Sequence, residues 1–183
     1  MIILLNGLSR CGKDTVARYL HETYNFEHIK ISKKVKEVVS VMFDIPKDQL
    51  EDDRKDSVNL EYNVTPRDIM KFIGTHVGQY ELNKLIPHMG RSFWICSAIK
   101  HMHIDSKYVI SDYRFPHEYD SLKKAFPSKR IIVVKIKPQF QGFISPKVID
   151  ETELQLNYDY ILVNDNISQL HTDIDNLINT LKK

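Results

Sequence analysis

Short apolar runs alternate with amphipathic segments along almost the whole chain. The apolar runs that indicate strands are 2–6, 26–31, 108–111, 130–136 and 159–163. Between them, apolar residues recur every three or four positions, which indicates helices. These helical segments are 14–24, 32–43, 65–76, 93–102, 116–126 and 166–181. Strands that alternate with helices predict βαβ units, and therefore a three-layer α/β/α sandwich around a mainly parallel, five-stranded sheet.

The starts of two predicted helices carry clear end signals. Ser32 is expected to cap the helix 32–43, and Thr65 followed by Pro66 is expected to start the next helix. The segment 44–63 between these helices carries many charged residues and few apolar ones. Because charge clusters usually lie in solvent, we expect an excursion from the core that contains a short helical turn.

The composition indicates what class of protein this is, but it says little about the function. With 183 residues, of which 42% are hydrophobic and 27% charged, the chain suits one globular domain spanning 1–183. Its formal net charge of +2 gives no reason to expect binding to nucleic acid or to a membrane surface. Cys11 and Cys96 are its two cysteines, which favours a reducing compartment, so we expect a cytoplasmic protein.

The strongest chemical signal is the sequence Gly7-Leu-Ser-Arg-Cys-Gly-Lys-Asp-Thr15, which directly follows the first predicted strand. It matches the phosphate-binding loop G-x-x-x-x-G-K, and an amphipathic helix follows it, as that motif requires. Glycines let the backbone approach phosphates closely, and the N–H groups at the helix start point at anionic oxygens. Lys13 supplies a positive charge for the β- and γ-phosphates of a nucleotide. The residues expected to bind ATP are Gly7, Arg10, Gly12, Lys13, Asp14 and Thr15.

Two features of this loop leave alternatives open. Asp14 stands where the motif usually has a magnesium-binding Ser or Thr, and Thr15 is the next hydroxyl, so either one could meet the Mg²⁺ that accompanies ATP. Cys11 is either a reactive thiol, because Arg10 and Lys13 would favour its thiolate, or a small filler of the loop. We favour the filler.

A second group of residues suits another anionic ligand. Arg67, Lys71 and Gly74 have the spacing of one helix face. Asp112 and Arg114 follow a predicted parallel strand, and the ligands of an open α/β sheet bind beyond the carboxyl ends of its strands. Asp112 is expected to hold hydrated Mg²⁺ or to orient Arg114, or else only to cap the helix that follows.

Three segments together resemble the deoxynucleoside monophosphate kinases of bacteriophages and large DNA viruses. They are 7–15, 65–75 and 112–118, and the first has the form G-x-x-x-x-G-K-D-T. Lys36 lies where that family has a basic residue near the acceptor nucleotide. Segment 152–166 is similar to the family's C-terminal pattern of an acidic lid element, a last strand and an Asn-rich turn. The resemblance spans nearly the whole chain and implies the P-loop nucleoside monophosphate kinase fold.

The function that this resemblance implies is transfer of the ATP γ-phosphoryl group to a deoxynucleoside monophosphate (dNMP), with Mg²⁺ as cofactor, in the host cytoplasm if the protein is viral. The acceptor would bind in a helical insertion of about 32–103, under a lid of about 138–153, and a homodimer is compatible with the sequence. Trp94 would stack on the nucleobase or else pack in the core, and both roles are open. The catalytic residues would be Lys13, Arg10, Asp112 and Arg114. The residues expected to bind the acceptor are Lys36, Arg67, Gly74, Thr75, Trp94, Arg114 and Glu153.

Two other functions are kept as alternatives. The family often has a His-x-Ser/Thr-Glu element, whereas 150–153 reads Asp-Glu-Thr-Glu and lacks the histidine. Animal phosphomevalonate kinases share the Gly-Lys-Asp loop and a similar C-terminal layout, but they lack the pattern of 67–75, so they rank second. A non-catalytic P-loop nucleotide switch is the other alternative. The basic residues Lys36, Arg67 and Arg114 favour a kinase over a switch, because a kinase must hold two anionic substrates.

Overall fold

Five parallel strands form the sheet in the computed structural model, which describes residues 1–51, 53–138 and 156–182. The strands are β1 (Ile2–Asn6), β2 (Phe26–Ile29), β3 (Lys107–Ile110), β4 (Ile131–Pro138) and β5 (Tyr160–Asn164). Their order across the sheet is β2-β3-β1-β4-β5, and every neighbouring pair is parallel. β1 therefore lies in the centre, which explains why all of its residues are buried and why residues 2–5 are all apolar.

Helices supply the crossover connections that parallel strands need. The helices are α1 (Lys13–Tyr24), α2 (Ser32–Phe43), α3 (Pro66–Lys71), α4 (Leu82–Leu85), α5 (Phe93–Ile99), α6 (Pro116–Ala125) and α7 (Ile167–Leu181). A π-helical stretch, Phe72–Glu81, joins α3 to α4, and short 3₁₀ turns lie at Lys47–Leu50, Asp53–Asp56 and Pro87–Met89. None of the helices in the described ranges is long and apolar enough to cross a membrane.

Both faces of the sheet are covered by helices. On one face, α1 and α7 pack against strand residues such as Ile3 and Val109, which are register partners on neighbouring strands. Successive side chains of a strand point to opposite faces, so Tyr108 lies on the other face. There Leu122 of α6 is fully buried, and the Lys129 ammonium beyond α6 lies 5.8 Å from the centre of the Tyr108 ring. The predicted three-layer α/β/α sandwich is confirmed.

The structure departs from the predicted elements mainly at their ends. β2 is shorter than the predicted 26–31, and α5 ends before position 102. Ser32 is the first residue of α2 and Ile31 occupies the cap position, so the prediction of Ser32 as the cap was wrong. The charged excursion at 44–63 contains two 3₁₀ turns where one short helical turn was expected.

The helix predicted from Thr65 begins as expected and then changes its pitch. The Thr65 side chain accepts a hydrogen bond from the Asp68 N–H, and Pro66 takes the first helical position, where its missing N–H has no cost. From Phe72 to Glu81 the helix is of the π type, with i→i+5 hydrogen bonds and wider turns. The side chains therefore leave the α-helical phase after Lys71, and hydrophobic spacing alone does not anticipate such a change.

The chain divides into two units. The first consists of Met1–Lys30 and Met102–Lys183 and contains the sheet with α1, α6 and α7. The second, Ile31–His101, contains α2 to α5 and has buried apolar residues of its own. Those residues are Ile31, Val35, Val39, Ile45, Leu50, Ile69, Ile73, Trp94 and Ile95. A single kinase domain with an acceptor-binding insertion at about 32–103 and a lid at about 138–153 stays a prediction.

The packing of α7 provides a test of this fold. Leu170 is fully buried and belongs to the same apolar cluster as Leu20 of α1, whereas Ile167 on the same helix is 62% exposed. We expect Leu170→Ala to lower the free energy of unfolding by about 2–5 kcal/mol, because it leaves a cavity in the core. Ile167→Ala is the matched control and should change that energy by less than about 0.5 kcal/mol. Urea denaturation measures both values, and equal losses would contradict the assigned buried face of α7.

Candidate active site

The loop after β1 has a backbone conformation that requires glycine at two positions. Gly7 has a φ of 146° and Gly12 a φ of 103°. A Cβ atom on Gly7 would lie 2.4 Å from the Ile136 carbonyl oxygen, and one on Gly12 would lie 2.4 Å from Asn164 Nδ2. Both distances are far inside van der Waals contact, so a larger residue at position 7 would push the loop away from the β4 backbone, and one at position 12 would displace the Asn164 side chain. The two glycines thus allow a tight loop at the carboxyl edge of the sheet.

The start of α1 lies directly beyond this loop and is suited to an anion. Gly12 occupies the cap position, and no side chain of the described residues caps the helix there. The first N–H groups of a helix have no partner within it, and they attract anionic oxygens together with the helix dipole. A parallel sheet with such a loop between its central strand and the next helix is the P-loop NTPase fold.

Lys13 folds back over the loop. Its Nζ donates hydrogen bonds of 2.7 Å to the carbonyl oxygens of Gly7 and Leu8, and it lies 3.7 Å from the Cys11 sulfur. The ammonium charge is therefore held at the loop itself. A phosphate bound to the loop N–H groups would lie within reach of this charge.

Two further side chains support the loop. Cys11 is 2% exposed, and burial raises the pKa of its thiol although the Lys13 charge acts in the opposite direction. Asn164, the last residue of β5, donates from Nδ2 to the Cys11 carbonyl oxygen at 3.1 Å. Cys11 therefore fits the role of a small filler. The sequence placed Asn164 only in an Asn-rich turn and did not predict this contact, although a polar residue at the end of an apolar strand was the available signal.

Asp14 belongs to a polar cluster at the ends of β2 and β3. Its Oδ2 accepts a hydrogen bond from Lys30 at 3.0 Å, and its Oδ1 accepts one from the Ser111 hydroxyl at 2.9 Å. The Ser111 Oγ also lies 2.8 Å from His28 Nε2. Burial would raise the pKa of Asp14, but the hydrogen bonds from Lys30 and Ser111 and the Lys30 charge outweigh it and lower that pKa. Asp14 is therefore an ionised carboxylate whose two oxygens both have protein donors, a connection that sequence reasoning missed.

The turn after β3 brings Asp112 and Arg114 to the same edge of the sheet. Since β1 and β3 are parallel neighbours, this turn and the phosphate loop leave the sheet at the same end. Asn6, the last residue of β1, is 3% exposed, and its Nδ2 donates to the Tyr113 carbonyl oxygen at 3.0 Å. Asp112 is half-buried and Arg114 is exposed. A buried amide on the central strand thus fixes the turn that carries both candidate residues.

A buried glutamate fixes the other side of this turn. Glu118 Oε2 accepts hydrogen bonds from the backbone N–H of Arg114 at 2.8 Å and from that of Phe115 at 3.0 Å. Phe115 is the cap residue of α6, so the structure does not place Asp112 at the helix cap, which was its alternative role. Burial raises the pKa of Glu118 to about 7, and the nearby charge of Asp112 adds to this effect, while the two N–H groups oppose it.

The second unit contains two of the cations predicted to bind the acceptor, and both have acidic partners. Arg67 forms a bidentate ion pair with Asp56, from Nε to Oδ1 and from Nη2 to Oδ2, the second contact at 2.9 Å. Lys36 Nζ donates to Glu51 Oε2 at 2.5 Å. The hydrogen bonds to Asp56 raise the pKa of Arg67, so its guanidinium stays protonated. The sequence placed Glu51 and Asp56 in a solvated loop and did not reveal these pairings.

Trp94 is a structural residue of the second unit. It is 8% exposed, and its Nε1 donates to the Gly74 carbonyl oxygen at 2.8 Å. A Cβ on Gly78 would lie 2.0 Å from Trp94 Nε1, so the indole packs directly on the helix backbone. These contacts favour the core-packing alternative, and stacking of Trp94 on the acceptor base stays a prediction. Gly74 and Thr75 lie in the π-helical stretch. The α-helical spacing that was expected to place Gly74 on one face with Arg67 and Lys71 therefore does not hold beyond Lys71.

Some predicted site features lie outside the described residues or stay predictions. Glu153 lies outside the described residues, as does the predicted lid except for Pro138. Within the described ranges, no group of three or more His, Cys, Asp or Glu side chains could hold a metal ion. Asp14 and Thr15 as Mg²⁺ contacts therefore stay a prediction.

Comparisons with known proteins give structural likenesses but no family. No family profile matches the chain, and no curated protein matches its sequence. A gluconokinase from Sinorhizobium meliloti 1021 aligns with a TM-score of 0.48 and 12% identity, over 98% of this chain and 94% of its own. A sugar kinase from Janibacter sp. HTCC2649 aligns at 0.45 and 12%, over 97% and 94%. An APS kinase from Mycobacterium tuberculosis aligns at 0.41 and 9%, over 97% and 96%. At this level of likeness, none of them assigns a substrate.

Glu118 offers a test of how the turn after β3 is held. Glu118→Gln keeps an oxygen that can accept both N–H groups, so the fold should be retained. Glu118→Ala leaves those groups without their acceptor and should lower the free energy of unfolding by about 2–4 kcal/mol. Urea denaturation of the two variants measures the difference, and equal stabilities would contradict the role of Glu118 in the turn.

The two variants should also differ in how stability depends on pH. The pKa of Glu118 is raised from 4.5 to about 7 in the folded chain, so between these values the folded state binds more protons than the unfolded state. Its contribution to stability is therefore present below about pH 4.5 and is lost as the pH rises to about 7. Glu118→Gln should show a flatter decline across this window than the unmodified chain. An unchanged decline would show that Glu118 is not the titrating group.

Proposed function

We propose that this chain is a kinase that transfers the γ-phosphoryl group of ATP to the phosphate of a dNMP, which gives the diphosphate. The observation that carries the proposal is the glycine-constrained loop after β1 with Lys13 folded over it. Such a loop suits a nucleoside triphosphate. Lys36 and Arg67 in the second unit support a second substrate that bears a phosphate. The resemblance of 65–75 and 112–118 to phage and viral kinases supports a dNMP as that substrate.

The phosphate loop would bind and orient ATP. Its N–H groups and Lys13 would contact the β- and γ-phosphates, with Lys13 exchanging its two carbonyl contacts for phosphate oxygens. In the transition state, negative charge spreads over the transferred group, and cations that are already in place stabilise it without reorganisation. Arg10 of the loop and Arg114 of the turn after β3 are both exposed and are the candidates to contact that group.

Hard oxygen donors for Mg²⁺ are available near the loop. The Asp14 carboxylate, the Thr15 hydroxyl and the Asp112 carboxylate have the donor chemistry that Mg²⁺ prefers, and all three follow the carboxyl ends of strands. Bound with ATP, the ion would neutralise charge between the β- and γ-phosphates. Lys30 and Ser111 would orient the Asp14 carboxylate through the hydrogen bonds already described.

The acceptor needs binding and orientation more than activation. Its phosphate oxygens are already anionic, so no strong general base is required. Arg67 can bind two of these oxygens at once through its planar guanidinium. The lid predicted at about 138–153 would exclude water and prevent hydrolysis of ATP.

A panel of acceptors tests the proposed function. ADP release is measured with Mg-ATP and dNMPs, ribonucleoside monophosphates or phosphomevalonate as the second substrate. Turnover that is fastest with a dNMP supports the proposal, and turnover with phosphomevalonate alone would assign the second-ranked kinase function. Binding of ATP without turnover of any acceptor would favour a nucleotide switch.

Loss of the Lys13 charge should abolish transfer. We expect Lys13→Ala to lower kcat by at least about 100-fold, which is typical for removal of one preorganised electrostatic group. The fold should be largely retained, because the hydrogen bonds described for Lys13 Nζ all go to residues of its own loop. Far-UV circular dichroism checks the fold and the ADP-release assay checks kcat. More than about a tenth of the original kcat would contradict the assignment, since tenfold is only about 1.4 kcal/mol.

Asp112→Asn separates the charge of Asp112 from its shape. We expect activity to fall by at least about tenfold, or 1.4 kcal/mol in the barrier, because the proposed role of the carboxylate is to hold Mg²⁺ or to orient Arg114. Thermal stability should change little, since Glu118 and not Asp112 accepts the backbone N–H of Phe115 at the start of α6. Activity is measured at limiting and at saturating Mg²⁺. Rescue by Mg²⁺ would assign Asp112 to the metal and lack of rescue to Arg114, whereas full activity would remove Asp112 from the site.

A further inference from the structure

Three cationic side chains of the second unit come from separate segments and act on one another. Lys36 is on α2, Lys55 is in the 3₁₀ turn Asp53–Asp56, and Arg67 is in the first turn of α3. We refer to these three residues as the cation cluster. The sequence identified Lys36 and Arg67 as candidates, but it gave Lys55 no role apart from the charged loop.

Two acidic residues of one short segment bind all three members of the cation cluster. Glu51 accepts a hydrogen bond from Lys36 through Oε2 at 2.5 Å, and one from Lys55 through its backbone carbonyl oxygen at 2.8 Å. Asp56 binds Arg67 through both of its carboxylate oxygens. The cations are therefore assembled before a ligand arrives, and a ligand would not have to order them.

The surroundings of Lys55 disfavour its positive charge. Burial lowers the pKa of Lys55, and the charges of Arg67 and Lys36 lower it further. Asp56 and Glu51 act in the opposite direction without offsetting this effect. Like charges held near one another at half-buried positions raise the energy of the empty site, and a bound anion would lower it.

We propose that Lys55 is a third phosphate-binding residue, so that the whole cation cluster binds the phosphate monoester of the acceptor. Arg67 supplies a planar fork for two oxygens, and the two lysines supply point charges for the others. Glu51 and Asp56 bind the cations in the absence of a ligand, and the phosphate replaces their contacts when it binds. The dNMP as acceptor rests on the proposed function, whereas the chemistry of the site requires only a phosphate monoester.

Lys55→Ala tests the proposal, and Lys47→Ala is its matched control. Lys47 lies in the preceding 3₁₀ turn, is exposed, and its replacement removes the same charge. We expect Lys55→Ala to raise the KM for the dNMP by at least about tenfold, or about 1.4 kcal/mol, and to leave the KM for ATP within about twofold. Lys47→Ala should leave both within about twofold. An unchanged acceptor KM in Lys55→Ala, or an equal rise in Lys47→Ala, would overturn the proposal.

Binding of inorganic phosphate makes the test independent of turnover. With saturating ADP in the phosphate loop, phosphate should raise the Tm of the unmodified chain and of Lys47→Ala, but much less that of Lys55→Ala. The Tm without phosphate reports whether each variant folds. If no acceptor is turned over but this difference is found, the proposed function fails and the phosphate site stands. If dNMP turnover is normal but phosphate stabilises Lys55→Ala fully, the site fails and the function stands.

The role of the acidic partners has its own test. Asp56→Asn removes an anion that competes with phosphate for Arg67, so this variant should bind inorganic phosphate at least as tightly as the unmodified chain. A thermal titration with phosphate in the presence of ADP measures this affinity. Weaker binding by a folded Asp56→Asn variant would overturn the temporary role of Asp56.

Discussion

The parallel alignment of β1 with β3 is the constraint on which the candidate site depends. It brings the carboxyl ends of both strands to one edge, so the phosphate loop and the turn with Asp112 emerge side by side. Asn6 makes this relation rigid, because its buried amide binds the Tyr113 carbonyl oxygen from the end of the central strand. Without the parallel pairing of β1 and β3, the phosphate loop and the turn with Asp112, which are about a hundred residues apart in the sequence, would not lie side by side.

Charge compensation is the second theme of the molecule. Asp14 is bound by Lys30, Lys36 by Glu51, and Arg67 by Asp56, so these groups already have a partner of opposite sign. Pairs of this kind add little stability at the surface, but they keep long side chains in defined rotamers. These ion pairs reduce the electrostatic repulsion between like charges that lie close together. They also provide contacts that an anionic substrate could replace at the positions where such substrates are proposed to bind.

Local patterns in the sequence predicted the elements that depend on neighbouring residues. The apolar run before Gly7 and the Thr65-Pro66 start each contain their own signal, and both lie where predicted. Long-range features have no such signal. The pairing of Arg67 with Asp56 and the burial of Glu118 both follow from tertiary contacts. The π-helix from Phe72 was missed for another reason, since its apolar residues are compatible with an ordinary α-helix over so short a stretch.

The position of Lys13 has a consequence for the thermodynamics of nucleotide binding. Its ammonium already donates to the Gly7 and Leu8 carbonyl oxygens, so a phosphate that recruits it exchanges hydrogen bonds and does not simply add them. The enthalpy of binding should then be smaller than the number of new phosphate contacts suggests. The same hydrogen bonds also stabilise the glycine-rich loop in its binding conformation before a nucleotide binds. Part of the conformational entropy of this loop is thus lost already during folding. Nucleotide binding therefore does not have to order the loop again.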